Sequence, residues 1–339
     1  MSCCRTCGRE VSMSRSSSPN LRWGLNSSGC SRSSTAWLRS TSGHRWQKAS
    51  PGAASLWTGW HRWSRTSGQV SYETSNCPVT VVEVELEDNY LTGRRALVTA
   101  SSRNLGAAIA TTLARKGAAV CVQYHESEHT ANDLIQKLRE ETGLQHVAVR
   151  GDANDPQSIR QMVGEAVERL GGTVDVLVNN FGPFSMTPYA ELPETEWDRI
   201  FDANAKASYV ATQCLVDGMR KAGWGRIVNV SAGSVYLRNH SIYGLAKEAM
   251  VFMTEELALE LGPEITVNAI APGQIEESAA DIAEFDPTFV SRAIDHTPAG
   301  RLVTRGEVSE LVALLCSPAF EMVTGVTLAV DGGWRLQRF

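Results

Sequence analysis

The chain has 339 residues, a formal net charge of −5 and 42% hydrophobic residues, enough for one large core or two small ones. Mild acidity without a broad basic field argues against a nucleic-acid partner. No apolar run approaches the roughly 18 residues needed to span a bilayer, so no membrane partner is expected either.

Residues 1–78 differ from the rest. They are rich in Arg, Ser and Trp, hold six of the nine tryptophans, and carry a single acid, Glu10, before Glu73. A transit peptide shares this composition but is amphipathic, and a secretory signal needs an apolar stretch that is missing here. Cys3, Cys4 and Cys7 lack a second pair at ligand spacing, so no metal is expected. The reading is an unstructured extension followed by a single domain over 79–339. In that domain Cys121, Cys214 and Cys316 lie far apart in apolar stretches, as free thiols of a reducing, cytoplasmic protein do.

From residue 94 short apolar runs alternate with helical periods. Strands are expected over 95–99, 119–124, 146–150, 174–179, 226–230, 265–270 and 326–330. Helices are expected over 105–116, 130–141, 157–170, 194–221, 241–261 and 306–316, with an irregular stretch over 272–300. Strand and helix in alternation with short connections give a parallel sheet with helices on both faces. The expected fold is therefore α/β: a doubly wound, mostly parallel seven-stranded sheet of Rossmann type, with ligands at the carboxyl ends of the strands.

The first strand runs into Thr99, Ala100, Ser101, Ser102, Arg103, Asn104, Leu105 and Gly106. A dinucleotide pyrophosphate fits such a helix N-terminus. Ala100 and Asn104 stand where glycines are usual, and Asn tolerates the left-handed backbone that such a turn needs. At the end of the second strand Tyr124 and His125 occupy the place of the acid that would hold an NAD ribose. With Arg103 nearby to meet a 2′-phosphate, NADP is expected and NAD is the second choice; Glu126 and Glu128 weigh toward the latter.

Tyr243 and Lys247 are four residues apart, on one helix face. An ammonium beside a phenol favours phenolate and lowers its pKa. From about 10, a drop of about three units is worth about 4 kcal/mol and brings the phenol near working pH. The spacing is common by chance, but its setting is specific: 99–106, Asn179-Asn180-Phe181-Gly182, Asn204, Ser231, Tyr243, Lys247 and Pro272-Gly273 occur in order. Together they resemble the short-chain dehydrogenase/reductase family over essentially all of 90–339. The ending around Asp331-Gly332-Gly333 is similar to its 3-oxoacyl-carrier-protein-reductase-like members.

The resemblance implies hydride transfer between a nicotinamide cofactor and a small carbonyl or alcohol substrate. It implies Tyr243 as general acid/base and Lys247 on the nicotinamide ribose. Ser231 would orient the substrate oxygen, and Asn204 would hold a relay water in a helix kink. Asp152 and Ala153 would meet the adenine, Asn180, Phe181 and Gly182 the ribose, and Pro272, Gly273 and Ile275 the carboxamide. It also implies a homodimer or homotetramer paired through the two long helices. Three departures stand out. The usual second serine is Ala232, so either a loop deletion restores Ser231 or Ser234 substitutes. Phe181 replaces the usual alanine and adds an aromatic ring beside the substrate. The threonine that commonly follows Pro-Gly is absent. Two rival readings remain: a dinucleotide-binding sensor without catalysis, and an enoyl reductase, whose wider Tyr–Lys spacing would fall on Ala249. The stretch 274–299, with Glu276, Glu277, Asp281, Glu284 and Asp286, is expected to cover the substrate.

Overall fold

The computed structural model describes residues 88–185, 187–236, 241–284 and 286–336, together with strand segments between residues 13 and 82. The chain divides into Met1–Val84 and Glu85–Phe339. The first unit contains short antiparallel pairings: Met13–Ser14 with Gly24–Leu25, and Trp37–Arg39 with Trp46–Lys48. It also contains a meander of Trp63–Thr66, Gln69–Thr74 and Cys77–Val82. The expected extension over 1–78, and the cysteines at 3, 4, 7 and 30, fall mainly outside the described residues.

The second unit is built from β1 (Arg95–Val98), α1 (Asn104–Arg115), β2 (Ala119–Tyr124), α2 (Glu128–Thr142), β3 (Val147–Arg150), α3 (Pro156–Arg169), β4 (Val176–Asn179), α4 (Glu194–Phe201), α5 (Ala207–Ala222), β5 (Gly225–Val230), α6 (Ile242–Leu261), β6 (Ile265–Pro272), α7 (Ala279–Ala283), α8 (Phe289–Asp295), α9 (Arg305–Leu315) and β7 (Thr327–Val330). The seven strands form one parallel sheet in the order β3-β2-β1-β4-β5-β6-β7. The winding reverses between β1 and β4, and ligand sites in such sheets form at that crevice.

Both faces of the sheet are buried, which explains the unbroken apolar runs of its strands. Side chains alternate between two cores with the period of two of a strand. Ala96, Val98, Val176, Val178, Val228 and Val230 pack toward α1, α2 and α9. Leu97, Leu177 and Ile227 face α3 and α5. Helix ends carry recognisable caps. Asp155 accepts from the Gln157 amide ahead of α3, Ser241 caps α6, and Thr304 and Glu307 form a capping box on α9.

Two expectations are corrected. The helix expected over 194–221 is broken by a π turn, Asp202–Lys206, between α4 and α5. Such wide turns insert an extra residue into the helical ladder, which an unbroken apolar period does not reveal. The stretch expected to be irregular over 272–300 holds α7 and α8, short helices whose period is too brief to register.

Candidate active site

The phosphate-loop candidate lies between β1 and α1. Ala100 and Asn104 both have positive φ, 48° and 54°, the backbone for which glycine is the usual residue. Asn104 was read as a residue that tolerates this geometry. Ala100 is held by a partner that the sequence did not reveal: its N–H donates to Gln123 Oε1 at 2.6 Å. Gly106 has no substitute. A Cβ there would come within 2.7 Å of Asn180 Nδ2 and of Ser101 Cα. The first turn of α1 carries no acid and no side-chain cap, so its N–H groups are open to an anion. Thr99 ties this loop to β4: its Oγ1 accepts from the Asn180 N–H at 2.8 Å, and Asn180 Nδ2 donates to the carbonyls of Thr99 and Ala100. Ser101 is buried, Ser102 and Leu105 are half-buried, and Arg103 is exposed. The cradle suits a dinucleotide.

At the ends of β2 and β3, His125 lies 3.8 Å from Asp152. Arg150 Nε donates to the His125 carbonyl at 3.1 Å. Arg150 is an exposed cation paired in register with Tyr124, and sequence reasoning missed it. Only the parallel pairing of β2 and β3 brings it there. The Tyr124 phenol is pushed up by its surroundings, first by burial and then by Glu128. Asp152 accepts from the Asn154 amide in a tight turn, and Ala153 packs against the core.

The second group forms where β4, β5 and α6 meet. Lys247 is 1% exposed, and its Nζ donates to the Phe181 carbonyl at 2.6 Å and the Val230 carbonyl at 2.9 Å. The Phe181 ring is not beside the substrate: it is buried in the core on the α3/α5 face, and its carbonyl alone reaches the site. Gly182 is exposed. Burial holds the Lys247 ammonium down to about 7 and pushes the Tyr243 phenol up to about 12. The expected lowering of the phenol by its lysine does not occur in this arrangement. The ammonium lies 5.6 Å from the Tyr243 ring centroid and is spent on two carbonyls, so desolvation of the phenol prevails.

Asn204 lies in the π turn, fully buried. Its Nδ2 donates to the carbonyls of Pro183 and Ile200, both at 2.8 Å, and its Oδ1 has no partner. Ser231 is buried, and its hydroxyl donates to the Lys247 carbonyl at 3.0 Å. Ser234 Oγ, three residues on, is buried without a partner. Gly233 packs tightly under β6; a Cβ there would stand 2.9 Å from the Pro272 carbonyl. The Gly273 amide donates to the Val330 carbonyl, and Ile275 bridges to Val303. His240 lies outside the described residues. Asp175, read as structural, accepts from the Arg95 amide and pairs with Arg94. Trp224 lies between the guanidinium groups of Arg94 and Arg226.

The parallel sheet, its anion-ready crevice and the tyrosine-lysine helix define a dinucleotide-linked oxidoreductase scaffold. Comparison with known proteins makes the family explicit. The family described as Enoyl-(Acyl carrier protein) reductase matches residues 99–335. A hydroxynaphthalene reductase-like protein, Arp2, of Metarhizium robertsii is 31% identical over 258 residues, covering 72% of this chain and 95% of its own. The crystal structure of a putative short-chain alcohol dehydrogenase from Sinorhizobium meliloti is 32% identical with a TM-score of 0.69, covering 74% of this chain and all of its own. A short chain dehydrogenase from Burkholderia cenocepacia, solved in complex with NADP, is 30% identical with a TM-score of 0.65 over 73% of this chain and 99% of its own. The chain belongs to the short-chain dehydrogenase/reductase family. Among the described residues, no helix is long and apolar enough to cross a membrane.

Proposed function

We propose that the protein is an NADP(H)-dependent reductase or dehydrogenase acting on a carbonyl/alcohol pair, with Tyr243 as the proton donor and acceptor. The observation that carries this reading is the convergence of Tyr243, Lys247 and Asn204 at one end of the sheet, beside a loop built for an anion. When bound, the nicotinamide supplies or takes the hydride. The chain's own residues do the rest. Thr99 and the amides from Ser101 to Gly106 would hold the pyrophosphate, and Asn180, Gly182 and Lys247 the ribose. Asp152 and Ala153 would flank the adenine, and Pro272, Gly273 and Ile275 the carboxamide. Arg103 and Arg150 supply the cations for a 2′-phosphate where Tyr124 and His125 leave no acid; the NADP complex of the Burkholderia relative supports this choice.

Tyr243 gives its phenolic proton to the carbonyl oxygen in reduction and takes it back in oxidation. A phenol pushed up to about 12 holds that proton at neutral pH. Asn204 Oδ1, buried and unpaired, is placed to anchor the water that would return protons to Lys247. Of the two serines, Ser234 has the uncommitted hydroxyl and is assigned to the substrate oxygen. Ser231 braces α6 through the Lys247 carbonyl. An enoyl reductase is the second reading, favoured by the description of the matching family. A purely dinucleotide-binding role is disfavoured by the presence of Asn204, Tyr243 and Lys247 together.

Leu245, Phe252 and Leu259 stand exposed at intervals of seven along α6, one face of the helix. That stripe suits a second copy of the chain, so a homodimer or homotetramer is assigned. The free thiols Cys121, Cys214 and Cys316 suit a cytoplasmic protein. NADPH oxidation by the purified chain across ketone, acyl-thioester and enoyl panels tests the reading. Ketone-dependent turnover should fall about 10²- to 10⁴-fold in Tyr243→Phe while dinucleotide binding persists. Wild-type turnover in that variant would refute the role of Tyr243.

A further inference from the structure

Gln123 lies on β2, 2% exposed, and touches neither Tyr243 nor Lys247 among its hydrogen-bond partners. Its side chain nevertheless joins the three loops that make the dinucleotide edge of the sheet. Oε1 accepts from the Ala100 N–H at 2.6 Å, in the loop after β1. Nε2 donates to the Tyr124 carbonyl at the end of β2 and to the Gly151 carbonyl after β3, each at 2.8 Å. Its backbone adds to the grip: Ser101 N–H donates to the Gln123 carbonyl and Gln123 N–H to Ser101 Oγ, both at 3.0 Å. Ser101 Oγ in turn donates to the Val98 carbonyl.

The residue held this way is the one that most needs holding. Ala100 has φ +48°. Glycine adopts that backbone freely, whereas a Cβ penalises it. Left alone, an alanine would relax toward negative φ and turn the amides from Ser101 onward away from a bound pyrophosphate. We infer that Gln123 is the positioning residue of the phosphate loop, its amide supplying at Ala100 the conformational hold that a glycine at that position does not require. The inference rests on the reading that residues 99–106 receive the cofactor's pyrophosphate. It concerns the loop's shape alone, so it is indifferent to the 2′ substituent.

Titration of the purified full-length chain with NADPH and with NADH, followed by nucleotide fluorescence, tests this directly. If Gln123→Leu leaves the loop in its binding shape about one-tenth of the time, both dissociation constants rise about tenfold. The loss should appear in KM for the dinucleotide rather than in kcat. Adding Ala100→Gly to Gln123→Leu should bring both constants back to within about threefold of wild type, because glycine needs no hold. Gln123→Met, which keeps length and burial without the acceptor, repeats the test should the leucine variant fold poorly. Three results overturn the inference while leaving the cofactor reading intact: unchanged affinity in both variants, a loss confined to NADPH, or a loss that Ala100→Gly does not recover. Absence of binding by the wild-type chain overturns both.

Discussion

Replacing Lys247 by Met isolates the electrostatic cost of a buried amine. Lys247 is 1% exposed, and burial brings its pKa from the usual 10.5 to about 7. Between those values the unfolded chain holds more protons here than the folded chain. Stability therefore rises with pH across that window and is lost as pH falls. At about 1.4 kcal/mol per unit, the cost of the amine is about 2 kcal/mol at pH 9 and about 4 kcal/mol at pH 7. The carbonyls of Phe181 and Val230, which Lys247 satisfies, lose their donor in the variant, but that loss is independent of pH. All other groups titrate alike in the two proteins. The stability of wild type relative to Lys247→Met should thus fall by about 2 kcal/mol from pH 9 to pH 7. For a domain of this size that is a change of roughly 4–8 °C in the difference between melting temperatures. Thermal unfolding of both proteins at pH 7, 8 and 9 measures it. A difference that stays constant over this range would show that the amine is not desolvated, and the low pKa would fall with it.

Three further outcomes are expected. Arg103→Ala combined with Arg150→Ala should weaken NADPH binding about tenfold, the loss of one charge-assisted contact, while NADH binding holds; equal losses for both nucleotides would remove these arginines from the 2′ site. His146 is fully buried, its Nδ1 accepts from the Val120 amide at 3.0 Å, and burial, then Arg139, holds it down to about 4. Because the unfolded histidine takes a proton at 6.5, stability is lost as pH falls from 6.5 to 4, by up to about 3 kcal/mol. Urea unfolding of His146→Gln should show a flatter acid limb than wild type, and an identical limb would exonerate His146. Phe252→Asp, on the exposed stripe of α6, should reduce the mass measured by light scattering to that of one chain; an unchanged oligomer would place the interface elsewhere.

The strands were legible because each is buried on both faces. A run such as Val120-Cys121-Val122 leaves no polar alternation to confuse the reading. The tyrosine-lysine pair was legible from its spacing and from its place among the ordered motifs. Its electrostatics were not, because proximity was visible and burial was not. A lysine whose protons are spent on the Phe181 and Val230 carbonyls cannot be read as a free charge beside a phenol. The same limit applies to Phe181, where the sequence showed a large ring near the site and the fold sends that ring into the core and uses only the carbonyl.

Local rules reached Asn104, since asparagine's tolerance of left-handed backbone is its own property. They could not reach Ala100, whose φ is maintained by a glutamine 23 residues away on the neighbouring strand. The two replaced glycines are therefore different departures. One is replaced by a residue suited to the turn, the other by a residue that fits only with help from elsewhere in the fold. An incomplete glycine fingerprint had weighed toward a damaged cofactor site. The geometry reverses that weight: a buried amide with all its polar atoms committed to the loop edge has no use in a loop that binds nothing.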